Sequence, residues 1–301
     1  MIALAVPLVL IAALFHAVWN ILLKSEIDPL LAARRAGIAS LVIWTPVALC
    51  AWLIIGRPGI PPTTVVIAVG SASLEAAYFV FLSWAYRTGS LSAVYAIARG
   101  TAPVLSVAIG ILVLGEHLDA VESVGVLSLL AGIWFVRRPQ SAGGATIPAI
   151  ATGVTIAAYS ALDSVGVHRV APWMYGYMVW CLTVFFLIAL MPLHSLLRQP
   201  TNAVAGPTKH RGNEISPAQA RRGVSSWLQS AILGLLMTST FLIILLALRL
   251  APLAIVSPLR ESAIVLVTLW SVWRLGERDQ LWSRLIGVGA VTAGAILLGV
   301  N

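Results

Sequence analysis

Charge is scarce in this chain. Asp, Glu, Lys and Arg together make up 10% of 301 residues, where soluble domains run about 25%. That excludes an ordinary soluble domain. It also means that the formal net charge of +8 is not read as a nucleic-acid footprint, so no nucleic-acid partner is expected. Cysteine is nearly missing. Cys50 and Cys181 are the two present, and both lie in apolar runs, which leaves no disulfide framework or thiolate metal site. The five histidines are scattered, without an H-E-x-x-H pattern or other metal spacing. No G-x-x-x-x-G-K-[ST] occurs, so an integral ATPase engine is unsupported, and no G-x-S-x-G nucleophile elbow occurs either. The expectation is therefore no metal, no cofactor and no enzyme. An intramembrane enzyme acting on a lipid-linked substrate, the alternative from another class, would need a nucleophile or metal cluster that these residues do not assemble.

What fills the chain instead is apolar sequence, 59% hydrophobic with a mean hydropathy of +0.95. A membrane-spanning helix needs about 20 mostly apolar residues. Ten such runs can be read, at 2–23, 36–55, 64–86, 90–114, 120–136, 146–167, 173–197, 225–248, 251–273 and 281–300. The fold class expected is an all-α integral membrane protein of ten transmembrane helices. The first run lacks a basic leading region and a cleavage site, so it is expected to be a retained span. Trp52, Trp84, Trp134, Trp173, Trp227, Trp273 and Trp282 fall near run ends, as an interfacial aromatic belt would have them.

Basic residues set orientation. The connections after odd-numbered helices, with the adjacent helix ends, carry fourteen of the nineteen. The opposite side carries Arg57, Arg169 and Arg249, and Arg99 and Arg260 lie inside spans. The count puts the odd connections in the cytoplasm and both termini outside, in a multi-pass protein of the cell membrane. A polar basic linker at 199–224 joins helices 7 and 8; its Pro, Gly and charge content suits a solvated flexible connection.

The chain also repeats itself. YAIARGTAPVLSVAIGILVLGE (95–116) aligns with VSPLRESAIVLVTLWSVWRLGE (256–277) without a gap, so that Arg99 falls on Arg260 and Leu114-Gly115-Glu116 on Leu275-Gly276-Glu277. One inserted residue later, Gly125 and Gly132 fall on Gly287 and Gly294. This divides the chain into five-helix halves, 1–140 and 141–301. An odd number of spans per half inserts the two in opposite directions, an inverted repeat of the kind that builds secondary transporters around a midplane site. The four glycines fit close helix packing. A dimer interface on Gly287, Gly289 and Gly294 is the alternative, and monomer and homodimer both stay open.

HAVWNILLK (16–24), RTGSLSAVYAIARGTAP (87–103), AAYSALDSVGVHR (157–169) and ALRLAPLAIVSPLRES (247–262) resemble the drug/metabolite transporter superfamily, in its EamA-type ten-helix branch. The resemblance implies a central cavity lined largely by helices 1, 3, 4, 6, 8 and 9, and usually export of small metabolites. Members are usually drawn with both termini in the cytoplasm, whereas the basic-residue count here gives the reverse.

Ionisable residues inside a membrane are costly and default to functional candidates. Arg99 and Arg260 sit mid-span beside Pro103 and Pro258, and Pro-interrupted helices at matching places in two repeats point to a transporter site. A guanidinium pair there could hold a carboxylate or phosphate. Glu75, Asp163 and Glu261 are the acids that could pair with them or carry a coupling proton. Glu261 is about 100° around the helix from Arg260, so it faces another helix, and Glu75 is the acid expected against Arg99. Burial favours a protonated carboxyl and a bound Arg the ionised one, so Glu75 and Asp163 are the proton-coupling candidates. Polar stripes at helical spacing mark three helices: Ala12, His16, Asn20 and Lys24; Ser92, Tyr95, Arg99 and Ser106; Thr152, Thr155, Tyr159, Asp163 and Gly166. His16, Trp19, Asn20, Tyr78, Tyr95, Arg99, Tyr159, Asp163 and Arg260 are the candidate substrate-binding residues, with Lys24 a headgroup anchor. The function expected is secondary transport, as an exporter, of a small polar, zwitterionic or anionic metabolite by alternating access. The partners expected are that solute, protons if transport is coupled, and membrane lipid. A lipid-intermediate flippase on the same fold is the alternative.

Overall fold

The computed structural model describes residues 2–24, 29–88, 91–137, 143–190, 227–262 and 281–300. The described residues are helical and contain no strand. In chain order the helices are α1 (Ile2–Lys24), α2 (Pro29–Ile54), α3 (Pro62–Thr88), α4 (Leu91–Leu112), α5 (Ala120–Arg137), α6 (Thr146–Gly166), α7 (Pro172–Ala189), α8 (Trp227–Leu250), α9 (Leu253–Arg260) and α10 (Leu281–Val300). Among them α1, α2, α3, α6, α7 and α8 contain apolar stretches of 18 to 27 residues, long enough to cross a membrane, and α4, α5 and α10 contain shorter apolar stretches. The protein is an all-α, multi-pass membrane protein. The linker at 199–224 and the second half of the ninth apolar run lie outside the described residues.

Three boundaries differ from those read off the apolar runs. α2 starts at Pro29, seven residues before its run. Pro suits the first helical turn, and the Leu-Leu-Ala-Ala-Arg-Arg-Ala that follows is good helix former without being continuously apolar. Apolarity marked the bilayer portion of that helix, not its start. α4 passes through Pro103 without ending, so Pro103 is not a break. α9 does stop early: it ends at Arg260, and the Glu261 and Ser262 amides fold back onto the carbonyls of Pro258 and Leu259 at 3.0 Å each.

Helix packing comes in matched pairs. α1 packs on α8 as α6 packs on α3, and α2 packs on α8 as α7 packs on α3; α4 meets α9 and α5 meets α10. Close backbone approach marks the last of these. A Cβ on Gly132 would lie 2.7 Å from the Gly287 carbonyl oxygen, and one on Gly287 equally 2.7 Å from that of Gly132. A Cβ on Gly294 would lie 2.6 Å from the Gly125 oxygen. These two contacts interchange when each glycine is swapped for its sequence counterpart. Ser128 and Ser283 add hydrogen bonds across the same crossing, to the carbonyls of Ala290 (2.8 Å) and Phe135 (2.9 Å). In lipid, where apolar helix faces gain little from meeting each other, small residues and interhelical hydrogen bonds supply the contact. Gly287 and Gly294 are thus committed inside the chain. Gly289 is the exposed one, with nothing near its missing Cβ.

Candidate functional site

The packing of α3 on α6 and α1 on α8 leaves a cavity, partly open to solvent, in the middle of the bundle, with about 560 Å³ of empty space when the open solvent at its mouth is included. Its polar lining comes from short segments of five helices, with Thr240 from α8. α1 contributes His16, α3 contributes Glu75, α6 contributes Asp163 and Ser160, and the end of α9 contributes Arg260. Aromatic walls complete it: Trp19, Tyr78, Phe79, Tyr159, Trp180 and Phe241. His16 meets Trp19 edge to face at 4.6 Å, Tyr78 stands 6.2 Å from Tyr159, and Trp180 lies 6.2 Å from Phe241. Rings bearing one polar atom suit such a place, since they are both apolar wall and hydrogen-bond handle.

The two buried acids are held in the same manner. Asp163 Oδ1 accepts from the hydroxyls of Ser71 (2.5 Å) and Tyr175 (3.0 Å). Glu75 Oε2 accepts from Thr183 at 2.8 Å. All these bonds go to one oxygen of each carboxyl group. Among the described residues no hydrogen bond reaches Oδ2 of Asp163 or Oε1 of Glu75, and both residues line the cavity.

Arg260 lines the same cavity, 8% exposed and with no hydrogen-bond partner for its Nε among the described residues. Its nearest carboxylate oxygen is Oε1 of Glu261, 3.9 Å from Nε. That same oxygen accepts from Arg99 Nη1 at 3.0 Å, and Arg99 Nη2 donates to His16 Nε2. Glu261 therefore sits between the two arginines that the repeat duplicates. The interruption of α9 makes this possible. A residue on the next helical position would diverge by about 100°, but Glu261 stands in a turn and reaches across to α4.

The sequence candidates accordingly separate. His16, Trp19, Glu75, Tyr78, Tyr159, Asp163 and Arg260 converge on the cavity. Arg99 is buried beside it and paired, and the acid that meets it is Glu261 rather than Glu75. Asn20 turns away from the cavity: its side-chain amide donates to the His16 carbonyl at 2.7 Å, within α1. The α6 stripe splits in the same way, since the Thr152 and Thr155 hydroxyls bond back to carbonyls one turn earlier, as hydroxyls in apolar helices do, and Gly166 lies under the Tyr175 ring. The side chains of Tyr95, Ser92 and Lys24 lie outside the described residues. α4, expected to line the cavity, supplies none of the described lining side chains; α7 supplies one, Trp180.

Sequence reading passed over Trp180 and the lining residues of α8 (Met237, Thr240, Phe241, Ile244, Leu248). α8 shows no polar stripe that would distinguish a cavity face from a lipid face. Trp180 did carry a signal, because it lies within its run where seven of the other tryptophans fall near run ends. It also lines a second, partly open cavity between α2, α7 and α8, walled by Trp44, Trp173, Tyr177 and Leu242 among others. Its indole N–H is donated to Ser40 Oγ at 2.7 Å, and Ser40 in turn donates to the Gly37 carbonyl at 2.8 Å.

Comparison with known proteins adds a family and a fold. Residues 3–138 match the model of the EamA-like transporter family. No curated protein matches the sequence. A solved crystal structure aligns over 99% of this chain and 96% of its own with a TM-score of 0.66 at 19% identity, a likeness of fold over the whole length.

Proposed function

We propose that the protein, whose residues 3–138 match the model of the EamA-like transporter family, is a membrane transporter of the drug/metabolite type that moves a small zwitterionic metabolite by alternating access. The observation that carries this reading is the charge layout of the central cavity: Arg260, whose Nε has no hydrogen-bond partner among the described residues, shares the lining with two carboxyl groups, Asp163 and Glu75, each hydrogen-bonded there through one oxygen. A carboxylate on the solute would satisfy Arg260, in the bidentate geometry a guanidinium favours, and an ammonium would satisfy the acids. The aromatic walls take its apolar part. A solute with one charge alone would leave the opposite buried group unpaired, at a cost of several kcal/mol.

Two five-helix halves rocking about this midplane site form the mechanism. Support comes from the matched helix contacts and from the interchangeable glycine pairs at α5 and α10. Export is the direction that the family resemblance supports, and termini outside the cytoplasm the orientation that the basic-residue count supports. Glu75 and Asp163 are the proton carriers if transport is driven by the proton gradient. The test is a thermal-shift screen of zwitterions against singly charged analogues, followed by flux in proteoliposomes. Zwitterions stabilise the protein, and Arg260→Ala abolishes both stabilisation and flux while the protein still inserts and elutes as a folded species. Normal flux in Arg260→Ala rejects the site.

A further inference from the structure

The first copy of the Leu-Gly-Glu motif that the sequence repeats takes no part in lining the cavity, yet it reaches into the other half of the molecule. Gly115 follows α4 with φ +68°, a left-handed conformation that glycine adopts without strain. The Glu116 amide closes the turn onto the Gly110 carbonyl at 2.9 Å. Beyond it, Asp119 and Glu122 exchange backbone-to-side-chain bonds of 2.8 Å each, a capping box that starts α5. The turn held in this way aims Glu116 at α9. Oε1 accepts the Leu253 amide at 2.7 Å and Oε2 the Ala254 amide at 2.9 Å. Helix N-termini leave such donors unsatisfied and carry partial positive charge, so a carboxylate there forms strong, charge-assisted bonds. Gly110 provides the room: a Cβ at that position would lie 2.3 Å from Glu116 Oε2. Leu253 and Ala254 are buried, so water does not replace the carboxylate.

α9 is the helix that ends in Arg260 and Glu261. We propose that Glu116 is an inter-half clamp, a positioning residue that fixes α9 and its two ionic residues against the α4–α5 turn, and that this clamp releases when the cavity opens on that face. The proposal rests on the transport reading above. A purely structural cap would lower stability when removed, without changing access to the turn between α8 and α9.

The test places a reporter at that turn, Ala251→Cys, which is 7% exposed, in a background carrying Cys50→Ser and Cys181→Ser. Labelling by a membrane-impermeant maleimide is followed in proteoliposomes. Glu116→Ala raises the labelling rate about tenfold or more, as the loss of two charge-assisted bonds on one face requires. Gly110→Ala keeps Glu116 but displaces its carboxylate, raises labelling likewise, and adds little in the Glu116→Ala background. Unchanged labelling in variants that elute as folded protein overturns the clamp, and so does full additivity of the two substitutions. Labelling needs no solute. If it responds as stated while no flux is found with any zwitterion, the transport reading fails and the clamp stands.

Discussion

Glu261 is shared by two arginines, and the sharing makes an asymmetric prediction. Its Oε1 accepts from Arg99 at 3.0 Å and stands 3.9 Å from Arg260 Nε, and the three side chains are 4%, 4% and 8% exposed. Glu261→Gln removes the carboxylate that both guanidinium groups face. Breaking a buried pair by deleting one partner costs roughly 3–5 kcal/mol. Arg99→Met deletes the closer arginine instead, and Glu261 keeps Arg260. What is lost is then the charge-assisted hydrogen bond to Glu261, about 1.5–3 kcal/mol, together with the bond to His16. At roughly 2–4 °C per kcal/mol for a chain of this size class, Glu261→Gln lowers the melting temperature by on the order of 10 °C or more, and Arg99→Met by about half as much. Intrinsic tryptophan fluorescence during a thermal ramp in detergent reads both. The double variant falls short of the sum, because the two substitutions remove one interaction between them. A loss in Arg99→Met equal to or larger than that in Glu261→Gln would refute the shared-acid arrangement, as would a simple sum in the double variant.

At the α5–α10 crossing, Gly132→Ala drives a methyl against the backbone of α10 and costs about 1–3 kcal/mol, whereas Gly289→Ala, with open space around it, is neutral or stabilises by up to about 1 kcal/mol; thermal ramps of the two variants side by side check this. Asn20→Ala removes only a bond within α1 and leaves flux within about twofold, while Trp19→Ala strips a cavity wall and lowers affinity for the solute by about tenfold, in the range of one lost aromatic contact. Glu75→Gln preserves an acceptor for Thr183 but cannot carry a proton. Solute exchange then continues while accumulation driven by a pH gradient stops, and unchanged gradient-driven accumulation removes Glu75 from the coupling scheme.

The apolar runs disclosed the helices because bilayer thickness imposes both their length and their composition. Composition does not report where a helix continues past the bilayer, which is why the Arg34 turn of α2 was missed. Periodicity likewise brought His16 and Asn20 onto one stripe without distinguishing them. Both stand on the same face of α1, yet one lines the cavity and the other bonds to its own backbone, a choice made by rotamer and neighbours rather than by spacing. The duplicated arginines were legible as a pair of intramembrane charges. That Glu261 would serve both was not, because the interruption of α9 turns its side chain to a helix more than 160 residues away in sequence. α8 was the least legible, since an apolar cavity wall and an apolar lipid face use the same residues.

Trp180 belongs to two linings at once, and this has an electrical consequence. On one side of its ring lie buried charges; on the other lies a chamber walled by tryptophan, tyrosine and aliphatic groups. The ring acts as insulation about one aromatic thickness deep, roughly 3.5 Å, and it stays in place through a single hydrogen bond to Ser40 on another helix. Insulation of this kind fails by rotation, not by rupture. Ser40, which lines neither chamber, thus joins the packing of Phe241 in fixing how that ring is turned between them.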